Sequence, residues 1–538
     1  MKNIEIPLQR EKSRRYILLE KLPALLTLSL ILTPVMLSIF APVAAAYFII
    51  GYMMIWLFKA IAMSFRVVQG YNKIKRYQRY NWEQLLDDIS SPDEARRNLA
   101  RYENNKEMLW HYLNLQQIEF RTEAVHPKDI LHVVMIATYN ESNDVLEPTV
   151  KTVLESNYPG KQILMVLAYE ERGGAAVAVN AKRLAEKYKS HFKDFITVQH
   201  PKDLPDELVG KGANITYAAE KVTEYVFDHG IDPNKVILTT LDSDNRPHPQ
   251  YFANLSYEYL VCEDPLHTSF QPVPMFLNNI WDAPAPMRVI ATGNSFWMVI
   301  TSLRPHLLRN FSSHAQGLQA LIDTDFWSVR TIVEDGHQFW RTYFRYDGHH
   351  DVVPIFLPIY QDAVLAEGYL RTFRAQFIQM RRWAWGASDI PYVIEKGYFE
   401  KNKVPKIDLT MKLARLVEGH VSWATAPLIL AFAAWLPLFV NPQAERSFLA
   451  HNLPVVASRI QTISMFGIFV TLLLSLKMLP PRPARYKARR RLYMVLQWFY
   501  MPFTSILYTS LSALTSQTRL ALGLYLDKFD VTEKAVKK

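Results

Sequence analysis

The chain has 538 residues, of which 49% are hydrophobic and 13% aromatic, enough for several domains with large apolar cores. A single cysteine, Cys262, excludes an internal disulfide and any metal site built from several cysteines. The net charge of +10 requires no nucleic-acid partner, because basic residues flank apolar segments, where they can bind anionic lipid headgroups.

Two uncharged apolar segments, Leu22–Phe40 and Val43–Leu57, follow a basic N-terminus. Both can cross a bilayer if the second continues past Lys59 to Phe65. A cleaved signal peptide is disfavoured, because a second apolar segment follows directly and no small-residue cleavage site separates the two. Basic residues on both outer flanks predict a multi-pass protein of the plasma (inner) membrane, with the domain that follows on the cytoplasmic side.

The next segment, from Trp82 to Phe120, has the spacing of an amphipathic helix. A stop and restart is expected at Ser90–Glu94, where Ser90 or Ser91 can cap the second helix.

From Ile130 the hydrophobic pattern becomes that of alternating strands and helices. Strands are predicted at Leu131–Ala137, Gln162–Leu167, Phe195–Gln199 and Val236–Leu241, with helices around Val145–Leu154, Ala178–Lys189 and Gly212–His229. This alternation predicts a mostly parallel α/β sheet with a ligand crevice at the carboxyl ends of its strands. The polar residues that fall at those ends are Thr138, Asn140, Glu141, Glu170, Glu171 and Asp242.

The most informative of these strand ends carries the triplet Asp242-Ser243-Asp244. Two carboxylates at a strand end can hold a divalent cation with hard oxygen ligands, an arrangement that suits a diphosphate substrate. Asp-x-Asp alone is more often a solvated turn. Its weight therefore depends on the motifs around it.

Five short motifs follow one another along the chain: Thr138-Tyr-Asn-Glu-Ser142, Gly210-Lys-Gly-Ala-Asn214, Asp242-Ser-Asp244, Glu334-Asp335 and Gln379-Met-Arg-Arg-Trp383. Together they resemble the family-2 nucleotide-sugar glycosyltransferases, in the membrane-integrated branch that includes cellulose, chitin and hyaluronan synthases. The resemblance implies a GT-A catalytic domain, with a Rossmann-like, mostly parallel sheet, inserted between N- and C-terminal transmembrane helices. It also implies an inverting, metal-dependent hexosyltransferase.

The resemblance assigns a role to each motif. Asp242 and Asp244 would hold Mg2+ or Mn2+ against the donor diphosphate, and Asp335 would act as the general base. The residues assigned to substrate are Thr138, Asn140, Glu141, Glu170, Lys211, Asn214, Asp242, Gly293, Glu334, Gln379, Arg382 and Trp383. Gly293 belongs to a glycine-bearing acceptor-side loop at 293–297, and a substrate-lining strand is expected at 270–274.

Ordinary structural alternatives stay open for several of these residues. Glu334 and Asp335 could be an acidic pair at a helix start, favoured by the helix dipole. Trp383 could be a core side chain beside a surface Arg382. Glu170 and Glu171 stand where the family carries an Asp-Asp pair, one member of which contacts uracil. Either glutamate could replace it, so the base of the donor is left open, although a UDP-sugar is the family's usual donor.

Three apolar segments follow the catalytic region: Val421–Val440, Ile460–Leu476 and Leu492–Leu514. The first two are predicted to cross the membrane, with an outer loop at Asn441–Ser458. Pro502 would let the third fold back or lie at the interface. The predicted order is membrane helices in 1–70, a helical linker in 71–129, the catalytic domain in 130–395, an interfacial connection in 396–420, membrane helices in 421–514 and a cytoplasmic or interfacial tail in 515–538.

The resemblance favours a processive synthase that extends a polysaccharide, with an oligomer or export partner completing the path for the polymer. A first alternative is transfer of one sugar to a lipid or lipid-linked acceptor. A second is a catalytically idle nucleotide-binding membrane protein, which the joint presence of Asp242, Asp335 and Arg382 argues against.

Overall fold

A computed structural model describes residues 3–99, 108–119, 125–527 and 534. These residues form two compact units. Unit 1 comprises Met1–Ile6, Lys73–Met275 and Arg304–Gln361, and unit 2 comprises Pro7–Asn72, Phe276–Leu303 and Asp362–Lys538. Of the stretch 130–395, residues 276–303 and 362–395 belong to unit 2 and the others to unit 1.

Unit 1 is built on an eight-stranded mixed sheet with the order β3-β2-β1-β4-β7-β6-β8-β5. The strands are β1 (Leu131–Thr138), β2 (Ile163–Glu170), β3 (Asp194–His200), β4 (Val236–Asp242), β5 (Arg246–Pro247), β6 (Thr268–Met275), β7 (Ala315–Gly317) and β8 (Asp351–Tyr360). Strands β1 to β4 pair in parallel, as do β6 and β8, whereas β7 is antiparallel to β4 and β6. The prediction of a mostly parallel α/β sheet is confirmed.

The α-helices are numbered along the chain. The first ten are α1 (Arg14–Leu19), α2 (Leu22–Phe40), α3 (Pro42–Tyr77), α4 (Trp82–Ser90), α5 (Pro92–Leu99), α6 (Leu109–Glu119), α7 (Asn143–Leu154), α8 (Ala175–Tyr188), α9 (Lys211–Asp228) and α10 (Tyr251–Val261). The next eleven are α11 (Ala285–Ser302), α12 (Leu318–Asp323), α13 (Glu334–Arg345), α14 (Tyr369–Ala384), α15 (Asp389–Ile394), α16 (Lys406–Phe432), α17 (Leu436–Val440), α18 (Phe448–Met478), α19 (Arg490–Leu496), α20 (Met501–Thr504) and α21 (Leu511–Ala521).

The sheet is buried on both faces, which explains why its strands are continuous apolar runs. Because side chains alternate along a strand, Val134 and Ile136 of β1 pack into one core with α7, α8 and α10. Val133 and Met135 pack into the other core with α9 and α12. The sequence-predicted strands β1 to β4 and helices α7 to α9 are all present, with ends displaced by at most three residues.

The helical segment after residue 82 breaks where the sequence indicated. Helix α4 ends at Ser90 and α5 begins at Pro92. Asn81 caps α4 by accepting a hydrogen bond from the backbone N–H of Gln84. Residues 100–107 and Phe120 of the predicted helical segment lie outside the described residues.

Four helical segments in the described part of the chain are long and apolar enough to cross a membrane. They are Arg14–Phe40, Pro42–Tyr77, Lys406–Val440 and Phe448–Met478. The expected outer loop at Asn441–Ser458 is wrong in its extent, because α18 already begins at Phe448 and tolerates Pro454 near its N-terminal end. The third apolar segment, 492–514, is not among the four; it is divided into α19, α20 and α21 by a 3-10 turn at Gln497–Tyr500 and a π turn at Ser505–Ser510.

Candidate active site

The site in unit 1 forms where parallel strands end at one edge of the sheet. Ala137 of β1 pairs with Asp242 of β4, and Thr138 pairs with Tyr169 of β2. This register places Thr138, Glu170 and Asp242 at the same carboxyl-terminal edge. Crevices at such edges are the usual ligand sites of open α/β sheets.

Glu141 ties the loop after β1 to the Asp-Ser-Asp triplet. One of its carboxylate oxygens accepts hydrogen bonds from the Thr138 hydroxyl at 2.8 Å and from the backbone N–H groups of Tyr139 and Asn140. The other accepts from the Ser243 hydroxyl at 3.0 Å. Glu141 therefore fixes two strand-end loops relative to each other, while the Asn140 side chain is exposed at the surface.

Asp242 lies at the centre of a polar cluster. Its Oδ1 accepts a hydrogen bond from Lys211 Nζ at 2.7 Å, and its Oδ2 accepts one from Ser312 Oγ at 2.6 Å. The Lys211 side chain is 10% exposed and that of Asp242 33%. This ion pair thus joins the glycine-containing motif to the Asp-x-Asp motif.

The turn after Asp242 is held by Asn245. Its Oδ1 accepts hydrogen bonds from the backbone N–H of Asp242 at 2.8 Å and from Ser313 Oγ at 2.7 Å. Asp244 is buried within this turn. Asn245 thus holds the backbone of the turn that carries both carboxylates. No cluster of three or more His, Cys, Asp or Glu side chains with metal-ligand geometry occurs among the described residues.

The positive charge of Lys211 is stabilised by three acidic side chains. Burial disfavours its charged form, yet its pKa is raised above the ordinary lysine value. The carboxylates that outweigh burial belong to Asp242, Glu334 and Asp335. The lysine is therefore a permanent cation at neutral pH, close enough to all three carboxylates to be stabilised by each.

Glu334 and Asp335 occupy the first turn of α13. Asp335 Oδ1 accepts a hydrogen bond from the backbone N–H of Gly336 at 2.7 Å, and Glu334 is buried. The helix dipole favours both carboxylates there, which agrees with the alternative that they are an acidic pair at a helix start. That position also turns them toward the motif that carries Lys211.

Asn214 holds the strand ends from the side of α9. Its Nδ2 donates hydrogen bonds to the carbonyl oxygens of Ala168 at 3.1 Å and Thr138 at 3.4 Å. The side chain is 2% exposed. In this structure its amide organises the sheet edge.

Gly212 allows α9 to begin against the segment that precedes α13. A Cβ added there would lie 2.6 Å from the Ser328 carbonyl oxygen and 3.1 Å from Glu334 Cβ. Replacing Gly212 by Ala should therefore lower the unfolding midpoint, since overpacking of this kind costs about 1–3 kcal/mol. The check is thermal unfolding of the detergent-solubilised protein by circular dichroism. Gly293→Ala is the matched control: a Cβ there meets nothing within 4 Å, so its midpoint should be unchanged or higher.

Glu170, at the end of β2, is engaged by Arg172. The guanidinium of Arg172 donates to both carboxylate oxygens, at 2.9 Å for Oε1, and lies 4.2 Å from the ring centre of Tyr139. Glu170 is 7% exposed. The carboxylate therefore braces the loops after β1 and β2 in this state of the protein.

The remaining predicted site residues belong to unit 2. Gln379, Arg382 and Trp383 all lie on α14, as their spacing predicted. Gln379 Oε1 accepts a hydrogen bond from Gln376 Nε2 at 3.2 Å, and the ring centres of Trp383 and Phe276 are 6.0 Å apart. All three side chains are partly exposed.

The expected acceptor-side loop at 293–297 is wrong. These residues lie inside α11, an 18-residue helix whose N-terminal turn contains a proline. A glycine in mid-helix is tolerated at a cost of about 1 kcal/mol when neighbouring residues pack well, and Phe296 and Met298 are buried. Gly293 is exposed on this helix, while Asn294 Nδ2 lies 4.0 Å from Met380 Sδ of α14. The strand expected at 270–274 is confirmed as part of β6.

Sequence reasoning missed Ser312, Ser313 and Asn245. Ser312 reaches Asp242, and Ser313 reaches Asn245, because β7 runs antiparallel to β4, with Leu238 opposite Gln316. A three-residue strand carries no readable hydrophobic period, so no pattern marked it. The only available signal was the polar run that precedes it.

His314, next to these serines, is a buried structural residue. Its Nε2 accepts a hydrogen bond from Trp327 Nε1 at 3.0 Å, so the Nδ1–H donates to the Phe311 carbonyl. Burial lowers the pKa of His314 to about 4. It is neutral at physiological pH and fixes the loop that carries Ser312.

No protein-family model matches the chain, and no curated protein matches it. Among solved structures, a mannosyltransferase from Pyrobaculum calidifontis in complex with GDP-Man and Mn2+ is similar at 14% identity, over 72% of this chain and 99% of that one, with a TM-score of 0.39. TarS residues 1–349 of S. aureus in complex with UDP-GlcNAc are similar at 11% identity, over 63% and 91% of the two chains, with a TM-score of 0.34. Likenesses at these identities and scores establish neither family nor activity.

Proposed function

We propose that this protein is a membrane-bound inverting glycosyltransferase of the family-2 type, which transfers a sugar from a nucleotide-sugar donor to a growing polysaccharide. One observation carries the proposal: Lys211 Nζ lies 2.7 Å from Asp242 Oδ1 at the carboxyl edge of a parallel sheet, and the neighbouring Gly212 is packed against Glu334. These residues come from three of the five motifs that resemble the family. A cation and several carboxylates at one strand edge suit a substrate with a diphosphate and an ionisable hydroxyl.

The donor set of Asp242 and Asp244 fits Mg2+ or Mn2+, which prefer oxygen ligands and usually share them with substrate phosphates. Asn245 accepts a hydrogen bond from the backbone N–H of Asp242 and so holds the turn that carries the carboxylates of Asp242 and Asp244. A cation held there would neutralise charge on the departing nucleoside diphosphate. Lys211 would contribute a second positive charge at the same edge.

Asp335 would accept the proton of the acceptor hydroxyl as that oxygen attacks the anomeric carbon. The hydrogen bond from the Gly336 N–H orients its carboxylate. The carbon–oxygen bond to the acceptor forms, the bond to the diphosphate breaks, and the proton moves to Asp335. A single displacement of this kind inverts the anomeric centre and needs no carboxylate nucleophile.

Arg382 and Trp383 would contribute a guanidinium for pyrophosphate oxygens and a flat ring for the acceptor sugar. Trp383→Ala should therefore raise the KM for acceptor more than the Kd for nucleotide. Trp385→Ala is the matched control, because Trp385 is 6% exposed and its loss should lower the unfolding midpoint, as expected for a core tryptophan. If the two variants lose stability equally, Trp383 is a packing residue.

The test of the function is a donor screen with purified protein in lipid bilayers, followed by sizing of the product. Release of a nucleoside diphosphate that depends on one donor and on Mg2+ or Mn2+ supports the proposal, and the donor that works also identifies the base. A ladder of long chains supports a processive synthase. Absence of transfer from every nucleotide sugar, with the nucleotide still bound, would favour the idle nucleotide-binding alternative.

A second candidate, transfer of one sugar to a lipid-linked acceptor, is favoured by one observation in unit 2. A groove of about 540 Å³ lies between α2 and α16. Its apolar lining includes Leu26, Leu30, Leu413, Val417 and Val421, and Glu418 at its rim pairs with Lys59 at 2.5 Å. A hydrocarbon chain suits this lining. In product sizing, a single added sugar at all times and donor concentrations would establish this candidate.

The proposed location is the plasma (inner) membrane, with the catalytic region on the cytoplasmic side. A multi-pass arrangement is supported by the four segments of sufficient length in the described part of the chain and by the basic residues that flank the first two. Four crossings are few for a wide polymer path, so a polysaccharide product would call for a second copy or an export partner.

A further inference from the structure

The short segment that precedes the first membrane helix belongs to unit 1. Residues 3–6, here called the N-terminal arm, group with the sheet although Pro7 and the residues after it belong to unit 2. Ile4 and Ile6 are 7% and 9% exposed, so the arm is packed in place by its apolar side chains. Between them, Glu5 points its carboxylate into a polar cluster.

Glu5 joins two parts of the chain on either side of the proposed base. Its Oε2 accepts a hydrogen bond from Arg341 Nη1 of α13 at 2.5 Å, and its Oε1 accepts one from the Ser328 hydroxyl. The Arg341 side chain is 1% exposed and that of Glu5 is 22% exposed, so the ion pair is fully buried on the arginine side and partly buried on the glutamate side. Burial works against the charged form of Glu5, but Arg341 and Ser328 outweigh it and keep the pKa of Glu5 below its ordinary value.

The loop that Glu5 holds, residues 327–330, also contacts the segment that carries Lys211. Leu208 donates its backbone N–H to the Val329 carbonyl at 2.8 Å, and Thr216 Oγ1 donates to the Trp327 carbonyl at 3.0 Å. The Ser328 carbonyl is the atom that a Cβ at Gly212 would strike. This 327–330 loop is therefore held between the arm and the start of α9.

The same loop leads directly into Glu334 and Asp335. Arg341, six residues beyond Asp335 on α13, also donates to the carbonyls of Thr324 and Asp325. Arg330 donates to the Ile6 carbonyl of the arm at 3.2 Å. Both ends of the stretch that presents Asp335 are thus joined to residues 5 and 6, and the Glu5 side chain contacts both Ser328 and Arg341.

We propose that Glu5 is a positioning residue, which fixes the 327–330 loop and α13 so that Asp335 is presented to the acceptor hydroxyl. The inference rests on the proposed function, since it concerns the base of that reaction. A displaced base slows transfer without weakening the donor diphosphate contacts, because misplacement acts on the geometry of the reacting groups.

Glu5→Gln keeps an acceptor for Ser328 but removes the charge that pairs with Arg341. In the full-length protein in bilayers, we expect kcat to fall about tenfold while the Kd for the donor nucleotide changes by less than about twofold. Glu5→Asp retains the charge and should recover part of the rate. Glu11→Gln is the matched control: this exposed carboxylate, six residues along, accepts a local hydrogen bond from the Leu8 N–H, and its loss should leave kcat unchanged.

Hydrogen–deuterium exchange separates this inference from the proposed function. Glu5→Gln should raise exchange in peptides covering 328–336, whereas Glu11→Gln should not. Unchanged exchange and unchanged kcat would overturn the positioning role. Faster exchange in a protein that transfers no sugar would support the role of Glu5 in fixing the 327–330 loop and α13, and would contradict the proposed reaction. A joint collapse of nucleotide binding and unfolding midpoint in Glu5→Gln would also overturn it, by making Glu5 a residue of overall stability.

Discussion

Asp335→Asn should lower the rate of sugar transfer by roughly a hundredfold or more, the range expected when a positioned general base is removed. Donor binding should persist, because Asp335 is assigned to the acceptor hydroxyl and the diphosphate contacts belong to other residues. Asparagine keeps the size of the side chain and an oxygen that can accept from the Gly336 N–H. The measurement is kcat for transfer beside the Kd for donor nucleotide in the same preparation.

The matched control for this variant is Asp93→Asn. Asp93 is also a first-turn aspartate, in α5, with its side chain 59% exposed and only a long 3.7 Å contact to Arg96. Loss of a helix-dipole contact should cost both variants a similar, small amount of stability, typically about 0.3–1 kcal/mol. If Asp335→Asn loses no more activity than Asp93→Asn, or loses donor binding together with stability, Asp335 has a structural role and another base must be sought.

The parallel half of the sheet could be predicted because burial on both faces leaves a direct mark on sequence. Strands β1 to β4 are unbroken apolar runs, and each is followed or preceded by a helix with a period of 3.6. Since parallel strands end at one edge, the sequence also indicated that Thr138, Glu170 and Asp242 would lie along it. The register of β1 with β2 and β4 confirms that placement.

Contacts between distant parts of the chain could not be predicted in this way. Ser312 reaches Asp242 through the antiparallel strand β7, whose three residues are too few to show a period. Glu5 reaches Arg341 across more than 300 positions, and nothing local to either residue marks the pair. Gly293 was misplaced for a different reason: the family resemblance assigned it to a loop, whereas the apolar neighbours that pack α11 outweigh the low helix propensity of glycine.

Substitution of the aspartates of the Asp242-Ser243-Asp244 triplet is expected to have the second large effect on sugar transfer. Asp242→Asn and Asp244→Asn should each abolish most transfer, because loss of a metal ligand removes several kcal/mol of charge stabilisation from the leaving diphosphate, equivalent to at least about a hundredfold in rate. Nucleoside diphosphate binding, followed by calorimetry with and without Mg2+ or Mn2+, should become insensitive to the metal. This binding readout does not depend on knowing the sugar or the acceptor.

Asp129→Asn provides the matched control for Asp242→Asn, since it breaks a second Lys–Asp pair of the same sheet. Asp129 precedes β1 and pairs with Lys235, which precedes β4, at 3.0 Å, so the pair lies at the amino-terminal edge, opposite the carboxyl edge that carries Asp242. If charge loss alone mattered, both variants would behave alike. If the triplet binds the metal, only Asp242→Asn and Asp244→Asn should lose metal-dependent binding. Unchanged turnover in either of these two would remove the metal assignment and, with it, the strongest link between this sheet edge and a diphosphate substrate.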